Sequence, residues 1–237
     1  MCPAPITASD HDASTSNLAP RALLLAARGF SCMFWGIPLS LFFMVGALRI
    51  ELAIPIRLPA YFFGVLVLYV GFFSLYRAAP DASWWRRCSL TGLVLSFVLV
   101  YFTPFVYWWR QSPLTPFFLY NMMALLIVCA GVLYAVNRLS AEIARLLRDP
   151  VLAVEARMCA WSALLVLVPI LALVLGFALH AATWGDATWI AEYIHRRRQP
   201  PTWMFFCFLL PVALTMTSSW KAKERCLVAL LKSTIAP

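Results

Sequence analysis

Six apolar runs without a formal charge, each long enough to cross a bilayer, constrain this chain more than anything else in it. They are Gly29 to Leu48, Leu58 to Tyr76, Cys88 to Trp109, Gln111 to Asn137, Met158 to Gly185 and Gln199 to Trp220. A hydrocarbon core of about 30 Å is crossed by roughly 20 apolar residues in a helix. Charged residues make up only 12% of the chain, against about 25% in a soluble domain, so water is not its main solvent. The runs are continuously apolar rather than alternating over roughly 10 residues, which selects helices over barrel strands. The expected fold is therefore all-α: a polytopic integral membrane protein, a bundle of about six transmembrane helices with a short cytoplasmic helical hairpin. The expected divisions are a disordered N-terminal tail over 1–21, a six-span domain over 22–220, and a basic cytoplasmic tail over 221–237. Within that domain the spans fall near 29–48, 58–76, 88–109, 116–137, 158–183 and 203–220, with the hairpin over 138–160.

Charge sets the orientation. Lys and Arg are retained on the cytoplasmic side of a membrane. With the N-terminus inside, the inner segments hold 13 basic residues and the outer loops 6. Both termini are thus expected in the cytoplasm. The net charge of +9 reads mainly as a topology signal, with anionic lipid headgroups as partners and no nucleic acid. The opening MCPAPITASDHDASTSNLAP lacks a basic n-region and the first apolar run is too long for a signal h-region, so no cleaved signal is expected. Short loops and the lack of eukaryotic sorting signals point to a bacterial inner membrane. Tryptophans at span ends, among them Trp84, Trp85, Trp108, Trp109, Trp184, Trp203 and Trp220, are placed as an interfacial belt would place them.

One segment departs from this pattern. NRLSAEIARLLRDPVLAVEARMCAW, Asn137 to Trp161, looks soluble yet lies between two apolar runs. On a helix, Leu139, Ile143, Leu146 and Leu147 share an arc of about 100°, with Arg138, Glu142, Arg145 and Arg148 opposite. Asp149-Pro150 reads as an N-cap followed by proline at the first helical position, which starts a new helix. The expectation is two helices that overrun the membrane and turn tightly at Asp149. Leu139, Ile143 and Leu146 are expected to pack on Val151, Val154 and Met158 of the return helix. Uncovered parts of Leu139, Ile143, Leu146, Leu147, Val151 and Val154 would form a docking face for a protein partner.

Chemistry-bearing residues are sparse. All ten acidic residues lie outside the central spans, which lowers the standing of ion-coupled transport and proton relays, because those keep ionisable groups in the membrane. His180, Asp186, Glu192 and His195 are the only ligand-like cluster, and their spacing matches no zinc motif, so neither a metal nor a cofactor is expected. Arg196, Arg197 and Arg198 form a candidate site for a lipid headgroup or phosphate. The cysteines include no C-x-x-C; Cys88, Cys159 and Cys226 fall near arginines at inner span ends, where positive charge favours a thiolate. Pro38, Pro169 and Pro211 lie near the middles of three spans, with Pro104 in another, and each tends to kink its helix. Small residues at four-residue spacing, such as Gly36 with Ser40 and Gly92 with Ser96, favour close helix approach. Asn121, the strongly polar residue well inside an apolar run, is expected to bond to a neighbouring helix.

These features favour a noncatalytic multi-pass membrane protein, an accessory or assembly subunit that docks a partner. A transporter or channel for a neutral or anionic solute, using the proline-kinked helices, is the alternative. A membrane enzyme acting on lipid-linked substrates comes third.

Overall fold

In the computed structural model, residues 19–49, 57–78, 83–111, 116–165, 172 and 202–235 are described. Helices α1 (Pro20–Arg49), α2 (Arg57–Arg77), α3 (Ser83–Gln111) and α4 (Pro116–Leu146) come first in the chain. A further helix follows, α5, described over 150–165, and then α6 (Thr202–Ile235). No strand occurs among the described residues, so this part of the chain is all-helical. That outcome follows from the apolar runs, since a helix satisfies every backbone polar group within itself.

Three of these helices contain a segment long and apolar enough to cross a membrane: Pro20–Phe43, Ser83–Phe102 and Met123–Leu146. A shorter apolar helical segment, Phe62–Arg77, accompanies them. Their outward faces are as apolar as the interior, with Trp35, Phe42, Phe97 and Tyr101 each more than 60% exposed. A helix hydrophobic all round belongs in a core or in lipid, and this combination is that of a membrane protein. The fifth expected span lies mostly outside the described residues, as do Pro169, His180, Asp186, Glu192, His195, Arg196, Arg197 and Arg198.

Five helices close into a ring. α1 packs on α2 and α6, α6 on α4, α4 on α3, and α3 back on α2. Phe30, Met33, Phe72, Leu75, Trp85, Val136 and Leu139 fill one continuous core. The α1–α2 seam is made close by glycine: a Cβ on Gly64 would stand 2.8 Å from the Cα of Ser40, and one on Gly29 would stand 3.0 Å from the carbonyl oxygen of Gly71. Side chains there would force the helices apart, as small-residue membrane interfaces require. Where the sequence pattern marked Gly36 with Ser40, the structure extends the seam to Gly29, Gly64 and Gly71.

Two polar expectations change on contact with the fold. Among the described residues Asn121 bonds within its own helix: its amide donates to the Phe117 carbonyl one turn back in α4 (2.7 Å). Trp85 is not an interfacial belt residue: it is fully buried and its indole N–H donates to the Leu75 carbonyl at the end of α2 (2.9 Å). Trp84, one residue earlier, remains partly exposed and carries the boundary position instead.

Candidate functional site: the α4–α5 turn and the α5–α6 groove

The segment that broke the apolar pattern folds into a tight helical turn. Arg148 adopts φ 59°, the left-handed position that ends many helices. Its N–H donates to the Arg145 carbonyl (3.1 Å) and the Asp149 N–H to the Ala144 carbonyl (2.8 Å), the paired bonds of a Schellman motif. Asp149 then opens α5. Its Oδ1 accepts from the Leu152 N–H (3.1 Å), three residues on, as an N-cap side chain does, and Pro150 occupies the first helical position. One residue thus closes α4 and starts α5.

The remaining Asp149 oxygen reaches α6. Arg225 Nε lies 2.8 Å from Oδ2, an ion-pair contact without the alignment of a hydrogen bond. Glu155 accepts from Lys221 at 2.6 Å, so a second ion pair joins α5 to α6. The Glu155–Lys221 pair is half-exposed and fixes geometry more than it stabilises, whereas Asp149 is largely enclosed and its Oδ2 is buried beneath the exposed Arg225. Between the helices runs an open groove of about 490 Å³. Its apolar lining comes from Val151 and Leu152 of α5 and from Leu227, Val228 and Leu231 of α6.

The expected docking residues divide between two environments. Leu139 and Ile143 are 0% and 1% exposed and belong to the bundle core, with Leu146 and Leu147 half-buried against it. They therefore do not pack on Val151, Val154 and Met158, all three of which face outward. The return helix closes on α4 with Leu152 and Ala153 against Ala144 instead. The α4 stripe is covered by the neighbouring helices α3 and α6, which a single-helix pattern cannot reveal. Only Val151 of the six residues lines the groove. Leu227, Val228 and Leu231 were missed, since the stretch after Trp220 reads as a basic tail, whereas it is the continuation of α6 to Ile235. Ala222 and Cys226, four apart and both fully buried, were the available signal that this stretch is an amphipathic helix.

Below the groove a buried polar clasp joins α4 to α6. Asn137, fully buried, donates to Thr215 Oγ1 (2.7 Å) and to the Leu133 carbonyl (3.0 Å), and its Oδ1 accepts from Ser218 (2.6 Å). Every hydrogen-bonding group of that amide is engaged, the condition under which a buried polar group is tolerated. Cys226 sits nearby in sequence on α6 and is fully enclosed. Burial pushes its thiol up to about 12, so the neighbouring Arg225 does not make it the reactive thiolate expected from charge alone.

At the centre of the ring a cavity of about 70 Å³ is lined by residues of α1, α2, α3, α4 and α6, including Ile37, Leu68, Leu99, Cys129 and Val212. Pro38 and Pro211 lie inside α1 and α6 beside it. Ser40 contributes the one hydroxyl in its lining. Among the described residues no three His, Cys, Asp or Glu side chains converge as metal ligands. Comparison with protein-family models, with curated proteins and with solved structures finds no match to this chain.

Proposed function

We propose that this chain is a noncatalytic six-span protein of a bacterial inner membrane, with both termini cytoplasmic, that serves as an assembly subunit by holding an amphipathic helix of a partner protein in the α5–α6 groove. The observation that carries this reading is the groove itself. Its apolar lining, with Val151 67%, Val228 46% and Leu231 61% exposed, lies between two ion-paired helices beyond the ends of the apolar spans. An aliphatic cleft flanked by charge of both signs suits a helix with one apolar face and polar edges. The 13-to-6 distribution of basic residues supports a cytoplasmic position for that cleft. The central cavity supports solute transport poorly. Its volume of about 70 Å³ compares with roughly 300–1,000 Å³ for small-molecule sites.

The test is site-directed crosslinking from position 228 in native membranes, followed by mass spectrometry of the adduct. A single partner crosslinked through one helix, lost in Val151→Lys and in Leu231→Lys variants that still purify as folded protein, is the expected result. A partner that both variants retain at wild-type stoichiometry removes the groove as its docking site.

A further inference from the structure

Arg87 and Arg138 stand at the α3–α4 corner, at the inner end of the bundle, on either side of Trp84. Arg87 is exposed and lies one turn beyond Trp84 on α3, within reach of the same surface. The Arg138 guanidinium lies over the Trp84 ring at 4.8 Å and 5.9 Å from the centroid of Tyr134. Stacking holds a guanidinium plane in place while leaving its N–H edge free to donate. Neither arginine has a carboxylate among the described residues. The four acidic residues described are committed elsewhere: Glu142 to Arg145, Asp149 to Arg225, Glu155 to Lys221 and Glu224 to the Trp220 indole. The first turn of α3 also carries no acidic residue, so the positive end of its dipole adds to the same field.

A second feature identifies what the cations would meet. Arg87 heads an exposed stripe on α3 formed by Leu90, Val94, Phe97 and Tyr101, with exposures of 48%, 52%, 65% and 61%. Spaced three and four residues apart, these side chains form one continuous face along the helix. Two guanidinium groups with no carboxylate partner among the described residues, above an apolar track, match one kind of ligand: a phosphate at the boundary with acyl chains running below it.

We propose that Arg87 and Arg138, oriented by Trp84 and Tyr134, bind the phosphate of an anionic phospholipid of the inner leaflet, whose acyl chain lies along Leu90, Val94 and Phe97. The site rests on the membrane-spanning reading and deepens it from general headgroup attraction to one position. Guanidinium donors take phosphate oxygens in pairs, which a lysine cannot reproduce.

The experiment is native mass spectrometry of the full chain in mild detergent, titrated with phosphatidylglycerol and with phosphatidylcholine. The wild type should retain phosphatidylglycerol preferentially. The Arg87→Gln/Arg138→Gln variant should bind it about 30-fold more weakly, taking each juxtamembrane cation at its usual strength. Arg87→Lys/Arg138→Lys should recover part of that loss, which shows that the Gln variant fails by charge and not by unfolding. Arg21→Gln/Lys232→Gln, which removes two other exposed cations, should leave the preference unchanged. Equal retention by wild type and the Arg87/Arg138 Gln variant, or equal loss in the Arg21/Lys232 control, overturns the site. Displacement of the lipid by millimolar inorganic phosphate would show a plain anion site and likewise overturn the lipid assignment. Carbonate extraction of native membranes separates the two levels: a chain that is released refutes the membrane-spanning reading itself, whereas an integral chain without lipid preference refutes only this site.

Discussion

Asn137 illustrates how a single polar residue is accommodated within an apolar bundle. Its amide would cost heavily if left without partners, and of its three hydrogen bonds only the one to the Leu133 carbonyl lies within its own helix. α6 supplies two of them through Thr215 and Ser218. The partners are not equivalent, because Thr215 also donates to the Pro211 carbonyl and Ser218 has the Thr215 carbonyl within reach, whereas Asn137 Oδ1 accepts from Ser218. Removing Ser218 therefore strands the amide oxygen, but removing Asn137 leaves both hydroxyls satisfied. Ser218→Ala should destabilise the protein by about 1–3 kcal/mol, the usual cost of an unsatisfied buried acceptor. Asn137→Leu should cost about 0.6–1.7 kcal/mol, the range for interhelical hydrogen bonds in membranes. The double variant should cost less than the sum. Unfolding in mixed detergent, run as a double-mutant cycle, measures the difference, and strict additivity would show that the two residues do not act together.

At the scale of elements, the α4–α5 turn depends on one strained residue and one doubly used one. Arg148 holds φ 59° without being glycine, at a cost of roughly 1–2 kcal/mol for an ordinary side chain. Arg148→Gly should relieve that strain and lose part of the gain to the greater freedom of the unfolded chain, about 0.5–1 kcal/mol, for a modest net stabilisation. Asp149→Ala acts in the opposite direction. It removes an N-cap worth about 1 kcal/mol and frees Arg225 from α5. Thermal unfolding of both variants in detergent should move the midpoint in opposite directions. A lowered midpoint for Arg148→Gly would mean that the arginine side chain contributes more at the turn than its backbone costs.

Over the whole molecule, α1, α2, α3, α4 and α6 close into a ring, and α5 buries one face over Leu152, Ala153, Ala156, Ala160 and Ala163 and is ion-paired to α6 through Asp149 and Glu155. Phe34 of α1 meets Trp220 of α6, so the start of α1 and the end of α6 stand at one end of the bundle, where the turn and the groove share a side with Arg21, Arg145 and Lys232. If that side is cytoplasmic, single cysteines placed at 112 and 232 in a cysteine-free variant should behave differently. A membrane-impermeant maleimide added to intact cells should label position 112 and not position 232. The reverse pattern would invert the topology, carrying the groove and the Arg87–Arg138 corner to the outer face.

How much of this was legible in the chain depended on whether the information was local. Helix content, the apolar segments of α1, α3 and α4, and the break at Asp149-Pro150 are consequences of hydrophobic run length and of capping chemistry, which neighbouring residues specify by themselves. The four basic residues of Asn137 to Trp161 marked a helix as amphipathic but not which surface would cover it. Tertiary packing decided that Leu139 and Ile143 are core and Val151 is groove, that Trp85 is buried while Trp84 is exposed, and that Asn137 rather than Asn121 crosses between helices. In each case two adjacent or similar residues carry nearly the same local signal. What separates them is which helix stands opposite, and helix partners are set by long-range close packing, such as the glycine seam between α1 and α2, that no single segment encodes.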